Sequence, residues 1–535
     1  MRGKFRNPIL SGFYPDPSIC RVGEDYYMVT SSFAYYPGLP IHHSKDLIHW
    51  EQIGHGIHRP DQLEYKNCEA SLGLWAPTIR YHEGKFYIIN TLVSEGREAR
   101  RDNYIITADR PEGPWSDPVF VEGADGIDSS LFFDEDGSVW YVGNYICKEN
   151  LYEGHHGIYL CELDKDTLQF KGARKILWDG ITTRGKWLEA PHIYKINGMY
   201  YLMVAEGGTF TNHSVMMARS SSVTGPYEVC QRNPVVSHRH LPLDRDISVT
   251  GHGDLIETQN GELWMVLLGV RPYEAKKKED YRNENGNIFY NLGRETFLLP
   301  MAWSEDGWPI AASENGIVNE WERKPELPEY IAHMDDSSDN FEDEELRMMW
   351  NTLHQPVENF YSLTERSGFL RLKLRKETLE EINTPSFVGR RQQHMRFLAK
   401  TAMEFTPAAD CEEAGAVLLQ DDRFHITFTK AKKGTDFVLL IKKTEYGKTT
   451  LLSEIPIKDT GRIYLQIQGN ESNYTFAYGY RESERIDCGL TVPAEILSSS
   501  VNGGFTGTYI GMYAVSAGKG SENYADFDWF HYHGI

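Results

Sequence analysis

The sequence predicts an all-β protein: an N-terminal five-bladed β-propeller followed by a C-terminal antiparallel β-sandwich. Three observations predict it. One short phrase recurs five times in the first half of the chain. Helical periodicity is absent, and short strands are punctuated by Gly, Pro and Asp turns. Toward the C-terminus the recurring phrase gives way to plain apolar/polar alternation, which suits a sandwich.

Each copy of the phrase is a start residue, a short apolar strand, a turn glycine and an aromatic-rich strand. The copies are DPSICRVGEDYYMVTS from Asp16, WAPTIRYHEGKFYIINT from Trp75, DSSLFFDEDGSVWYVGN from Asp128, EAPHIYKINGMYYLMVA from Glu189 and HGDLIETQNGELWMVLL from His252. The start residue lies seven positions before Gly23, and nine before Gly84, Gly137, Gly198 and Gly261. Copies lie roughly 50 to 65 residues apart, the length of four short strands with turns, or one propeller blade. Equivalent positions of radially arranged blades point at one axis. Asp16, Asp128 and Glu189, with Trp75 and His252, are therefore expected around one central pocket.

At 535 residues the chain is too long for a single core. The expected organisation is a propeller over 1–325, a linker over 326–340 and a concanavalin-like sandwich over 341–535. The stretch from 319 to 345, NEWERKPELPEYIAHMDDSSDNFEDEEL, is charged and carries no alternation. Sandwich strands are expected at AGAVLLQ, FHITFTK, DFVLLIKK, RIYLQIQG, YTFAYGY, YIGMYAV and ADFDWFHY. RKETLEEI reads as a lone short helix.

The net charge of −22 repels nucleic acid and anionic membranes and fits a neutral ligand better than a polyanion. With 31 tyrosines and 12 tryptophans the chain is rich in rings that stack on sugar faces, although most such residues serve as ordinary strand and core residues. Seven cysteines, odd in number and without C-x-x-C spacing, read as reduced thiols. The N-terminal residues MRGKFRNPILSGFYPDPS lack a signal-like apolar stretch, and no run of 18 apolar residues occurs. A cytoplasmic location without membrane attachment is expected.

Two acids with separated roles hydrolyse glycosidic bonds: one protonates the leaving oxygen, the other activates water or attacks. A third carboxylate beside the acid raises its pKa by like-charge repulsion. Glu189, with longer reach and higher intrinsic pKa, is the natural acid among Asp16, Asp128 and Glu189. Each aspartate taken alone would read as a turn residue, Asp16 before Pro and Asp128 before two serines. Their placement at one repeat position argues against coincident caps.

Together NPILSGFYPDPSI, PIHHSKDLIHW, LWAPTIRYHEGKFY, DSSLFFDEDG, LEAPHIYK, AEGG, GHGDL and LGRET resemble glycoside hydrolase family 43, nearest to β-xylosidases and α-L-arabinofuranosidases with a C-terminal β-sandwich. The resemblance spans nearly the whole chain. It implies inversion at the anomeric carbon, with Asp16 as general base, Asp128 as pKa modulator and Glu189 as general acid. It also implies that Arg294 contacts the sugar and the modulator aspartate. Phe33 and Trp75 match walls of the terminal-sugar subsite. Phe505, in GGFTGTYIG, matches a sandwich residue closing the pocket, and reads equally as a strand-edge phenylalanine. His252 matches an axial histidine that can sit near a structural calcium, and reads equally as a hydrogen-bonded core histidine. No other cofactor is implied, and homo-oligomers occur in proteins built this way. Two departures stand out: Ala34-Tyr35-Tyr36 replaces Glu-Trp-Phe, and Ala190 follows the acid where Gly is common. Both shift weight toward arabinofuranosidase.

The sequence thus points to an exo-acting inverting hydrolase that takes small oligosaccharides, releasing xylose from non-reducing ends of β-1,4-xylo-oligosaccharides. The alternative within the class is α-L-arabinofuranosidase, or both activities. The alternative from another class is a non-catalytic carbohydrate-binding protein. Retaining fructosidase-type propellers need Asn-Asp-Pro-Asn-Gly-like and Arg-Asp-Pro motifs, and neither is present.

Overall fold

A computed structural model describes residues 3–65, 68–94, 100–242, 245–275, 288–333, 337–356, 358–458 and 461–535. Each repeat forms an antiparallel hairpin: Ser18–Val22 with Asp25–Val29, Thr78–His82 with Lys85–Ser94, Ser130–Phe133 with Val139–Ile146, Glu189–Ile196 with Met199–Glu206, and Ser248–Glu257 with Leu263–Val270. The five turn glycines have φ between 65° and 85°, the left-handed region in which a side chain is strained. Each hairpin extends outward into a sheet of four or five strands.

Apolar residues on the two faces of each sheet close the five sheets into a ring. Ile41 and Val29 meet Ile79 and Ile88 between the first and second sheets. Ile89 and Ile105 meet Leu131 and Tyr141 between the second and third. Val142 and Leu160 meet Leu202 and Val204, and Met203 and Val215 meet Met265 and Phe297. Trp264 and Val266 then return to Ile19 and Met28 of the first sheet. The first strands of neighbouring sheets touch all the way round. This is the propeller, with five sheets for five repeats.

A buried polar cluster pins the first strands together below the axis. Asp254, fully buried, accepts hydrogen bonds from Ser18 Oγ (2.6 Å), the Ile19 backbone N–H (3.0 Å), Arg80 Nη1 (2.8 Å) and Tyr194 Oη (2.6 Å). Arg80 Nη2 also meets His192 Nδ1 at 2.8 Å. Four of the five sheets contribute, so the cluster fixes the relative positions of the strands that carry the repeat-start residues.

The C-terminal residues form two stacked sheets. The six-stranded one is apolar on both faces, with the period of two dictated by the pleat. Ala416, Leu418, Ile510 and Met512 face the sandwich core. Val417, Leu419, Tyr509 and Tyr513 face the propeller, where they meet Phe13, Phe33 and Tyr35. The Tyr35 and Tyr509 rings stack with centroids 3.7 Å apart. Thr352–Leu353 also pairs as a strand with Tyr35–Tyr36. The two units therefore share an apolar interface beside the propeller axis.

All seven sandwich segments read from the sequence are strands. RKETLEEI is not a helix but a bridge followed by turns. Its side chains are claimed individually by tertiary partners: Arg375 by Glu358, Leu379 by the interface core and Glu380 by Thr449. Residues 334–336 of the expected linker lie outside the described residues. Before them, the Tyr330 N–H donates to Asp46 of the propeller; after them, Ser338–Asp339 pairs with the final strand Tyr524–Gly534. Among the described residues no helix is long and apolar enough to cross a membrane. All seven cysteines are free thiols.

Candidate active site

The repeat-start residues reach the axis because the backbone turns sharply there. Asp16, Asp128 and His252 have φ of 54°, 56° and 49°, and in the fourth repeat the turn falls one residue later, at Ala190 with φ 50°. Left-handed backbone costs a non-glycine residue about 1–2 kcal/mol, and such strain concentrates at functional sites. Ladder irregularities accompany it, between Glu189 and His192 and on both sides of Gly251. Bulges of this kind re-aim side chains.

A cavity of about 200 Å³ opens on the axis and is lined by Asp16, Asp128 and Glu189 together with Phe33, Trp75, His252, Arg294 and Phe505. All eight residues singled out from the sequence thus meet in one place. Pockets for drug-sized ligands run from about 300 Å³ upward, so this space suits a small ligand. Ala76, Ile127, Trp187, Gly208, Thr209, Phe210 and His213 complete the wall. Sequence reading missed these seven. Trp187 sits two positions before Glu189, Gly208 ends the AEGG turn and Thr209 to His213 follow it, so proximity to a recognised motif was the available signal.

Asp16 is buried and engaged at both oxygens: Arg294 Nη1 donates to Oδ1 at 2.5 Å and Ser31 Oγ donates to Oδ2 at 2.5 Å. His252 Nδ1 lies 3.7 Å from Oδ1. The Arg294 guanidinium also faces the Phe33 and Phe505 rings, 5.5 and 5.6 Å from their centroids. The resemblance pairs Arg294 with Asp128, whereas the hydrogen bond here goes to Asp16. Asp16 and Arg294 approach from adjoining first and fifth sheets, while Asp128 comes from the third.

Burial pushes the Glu189 carboxyl up to about 7, the negative charge of Asp16 adds to the push, and Arg294 and Arg101 partly oppose it. Asp128 is held well above the usual carboxylate range, by burial first and then by Glu189 and Asp16. The repulsion between Asp128 and Glu189 is shared by the pair, and the charge of Asp16 adds to both. Burial keeps His252 below the usual imidazole range, so it is neutral near pH 7. His213 donates through Nδ1 to the Val249 carbonyl at 3.1 Å, and burial lowers it to about 3.

Phe33, Trp75 and Phe505 form an aromatic wall. Phe33 and Phe505 stack with centroids 6.1 Å apart, and Trp75 meets Phe505 edge-on at 5.5 Å. Phe505 comes from the sandwich and lines the cavity. None of Ala34, Tyr35, Tyr36 and Ala190 lines it. Tyr35 packs in the interface, and Ala190 holds the left-handed turn after Glu189.

Among the described residues no group of three or more His, Cys, Asp or Glu is arranged to hold a metal ion. Calcium takes six to eight oxygen donors. Beside His252 the nearest carboxylate, Asp16, is already occupied by Arg294 and Ser31, so these side chains do not form a calcium cage.

The sequence model of Glycosyl hydrolases family 43 matches residues 5–309, and that of the Beta xylosidase C-terminal Concanavalin A-like domain matches residues 338–533. A protein named non-reducing end alpha-L-arabinofuranosidase, from Bacteroides ovatus, is 39% identical over 98% of this chain and 94% of its own. A Butyrivibrio fibrisolvens protein named xylosidase/arabinosidase is 40% identical over 98% of both. The solved structure of a xylan beta-1,4-xylosidase from Bacillus halodurans C-125 superimposes with a TM-score of 0.91 at 35% identity, covering 99% of this chain and all of the other.

Proposed function

The chain belongs to glycosyl hydrolases family 43 and is a glycosidase; from that premise we propose that it releases single pentoses from non-reducing chain ends with inversion, xylose from β-1,4-linked xylo-oligosaccharides first among them. The observation that carries the reading is a small axial cavity in which Glu189, its carboxyl raised to about 7, shares the lining with Asp16, a carboxyl gripped by a guanidinium.

Asp16, held by Arg294 and Ser31, takes a proton from a water on the face of the sugar opposite the leaving group. Glu189 gives its proton to the departing oxygen. Asp128 and Glu189 repel one another as anions, so the pair retains a proton into the neutral range, and the proton on Glu189 is the one transferred. The aromatic wall stacks on the sugar face and Arg294 meets ring hydroxyls. This chemistry uses side chains alone.

α-L-Arabinofuranosidase activity at the same site is the second reading. It is favoured by two relatives about 40% identical along the whole chain, one named for that activity and one for both. Parallel assays on 4-nitrophenyl β-D-xylopyranoside and α-L-arabinofuranoside, with proton NMR of the first-formed anomer from xylobiose, test the proposal. Release of the inverted α-anomer of xylose supports it. Retention, or sugar binding without turnover, sinks it.

A further inference from the structure

Phe505 reaches the cavity on a short loop of the sandwich, and a loop-borne ring needs its backbone fixed before it can serve as a wall. The loop is fixed on both sides by a buried polar pair at the end of the strand Glu412–Asp421. Upstream, Asn502 Nδ2 donates to Asp421 Oδ2 at 2.9 Å and to Gln420 Oε1, while Asn502 Oδ1 accepts the Gly504 N–H at 2.7 Å. Downstream, Gln420 Nε2 donates to the Thr506 carbonyl at 2.8 Å, and Thr506 Oγ1 returns a bond to the Gln420 carbonyl at 2.9 Å. Gln420, Asp421, Asn502 and Thr506 are all buried.

The clamp continues into the propeller through one residue. Ser71 Oγ accepts the Phe505 N–H at 2.9 Å, and the Ser71 carbonyl accepts Trp75 Nε1–H at 3.1 Å. Two of the three rings of the wall are thereby registered to each other through Ser71. The fit is close: a Cβ on Gly504 would lie 2.8 Å from Ser71 Oγ. Burying four polar side chains is unfavourable unless each is satisfied, and here a satisfied network fixes one loop geometry rather than adding apolar stability.

We propose that Asn502, seated on Gln420 and Asp421, and Ser71 are positioning residues for Phe505, through which the sandwich domain sets how tightly the terminal sugar is gripped. The nature of the sugar rests on the proposed function; the positioning does not. Asn502→Ala and Ser71→Ala are expected to raise KM for the aryl pentosides about tenfold, with kcat within about threefold. Because both act through the Phe505 ring, adding Asn502→Ala to Phe505→Ala should change KM no further. Multiplying effects in that double-variant cycle, or an unchanged KM in both folded single variants, overturns the proposal.

Hydrogen–deuterium exchange over residues 499–506 supplies a readout that needs no ligand. It should accelerate in Ser71→Ala and Asn502→Ala, with the propeller strands unchanged; unaltered exchange overturns the proposal. Should Asn502→Ala fail to fold, Gly504→Ala, whose Cβ would crowd Ser71 Oγ at 2.8 Å and the Asn502 amide at 3.3 Å, disturbs the same loop and is read the same way. If the parent protein hydrolyses neither pentoside, the functional reading fails alone, and the cycle is read on D-xylose binding and on exchange.

Discussion

Arg294 donates a 2.5 Å hydrogen bond to Oδ1 of Asp16, joining residues 278 positions apart in the chain at the closure between the fifth and first sheets. The same cation acts on the other two carboxyls, favouring the charged forms of both Glu189 and Asp128. One guanidinium therefore holds the base and tempers the acid.

Replacing Arg294 with Met removes both effects. Losing a preorganised charged donor at a reacting centre typically costs about 10²–10³ in rate, and kcat/KM should fall by that order. With the opposing charge gone, Glu189 rises above about 7 and keeps its proton to higher pH. The alkaline limb of the pH–rate profile should then move upward. A limb that stays or moves down contradicts this assignment.

Glu189→Gln tests proton donation. Below pH about 7 the parent carboxyl is protonated and donates; as pH rises through that value activity should fall. The Gln variant should lose about 10²–10⁴ on xylobiose, the span of general acid catalysis. It should lose far less on aryl pentosides whose leaving groups need no proton. Steady-state rates on both classes check this, and equal losses would remove Glu189 from the acid's role.

Asp254→Ala tests the axial cluster. The change leaves Arg80 without its ionic partner in the interior. Breaking a buried pair by removing one member costs about 3–5 kcal/mol. Calorimetry should show a large drop in Tm, and Asp254→Asn, which keeps acceptor capacity, a smaller one. The parent dependence on pH follows from the sign of the shift. Arg80 holds the folded Asp254 carboxyl far below its ordinary value, against the cost of burial, so its stabilisation is present above the unfolded pKa near 4 and is lost as pH falls below it.

The blades were legible because each must repeat one hairpin, and a hairpin leaves a periodic signature: start residue, apolar strand, left-handed glycine, aromatic strand. The three carboxyls were legible for the same reason, since symmetry places equal positions on the axis. What the sequence did not show depends on contacts between blades. Nothing in the spacing of Arg294 says that it bonds Asp16 rather than Asp128, because that choice is made by which sheets adjoin. Trp187, Phe210 and His213 come from between the repeat phrases, where symmetry carries no information. RKETLEEI has helical composition, but Leu379 is drawn into the interface and Glu380 to Thr449, so packing overrides propensity.

The buried histidines give the fold a pH dependence that does not depend on catalysis. His42, His55, His192 and His213 are each lowered to about 3, in every case by burial first. A histidine unfolds to a pKa near 6.5. Between pH 6.5 and about 3 the unfolded chain therefore binds protons that the native form refuses, and stability falls as pH falls. Glu189 and Asp128 act in the opposite sense: their raised values favour the folded state at low pH, an advantage lost as pH rises, for Glu189 through about 7. Burial lowers His58, His156, His238, His252, His354, His394 and His531 as well, while Glu206, Asp421 and Asp422 join the raised carboxyls. Among the described residues eleven lowered imidazoles thus stand against five raised carboxyls, and the histidines are in control. The urea midpoint should drop between pH 6.5 and pH 5, and replacing His42 with Gln, whose amide does not titrate in this range, should flatten the drop. A midpoint that holds or rises on acidification would mean that these rings are charged in the native protein.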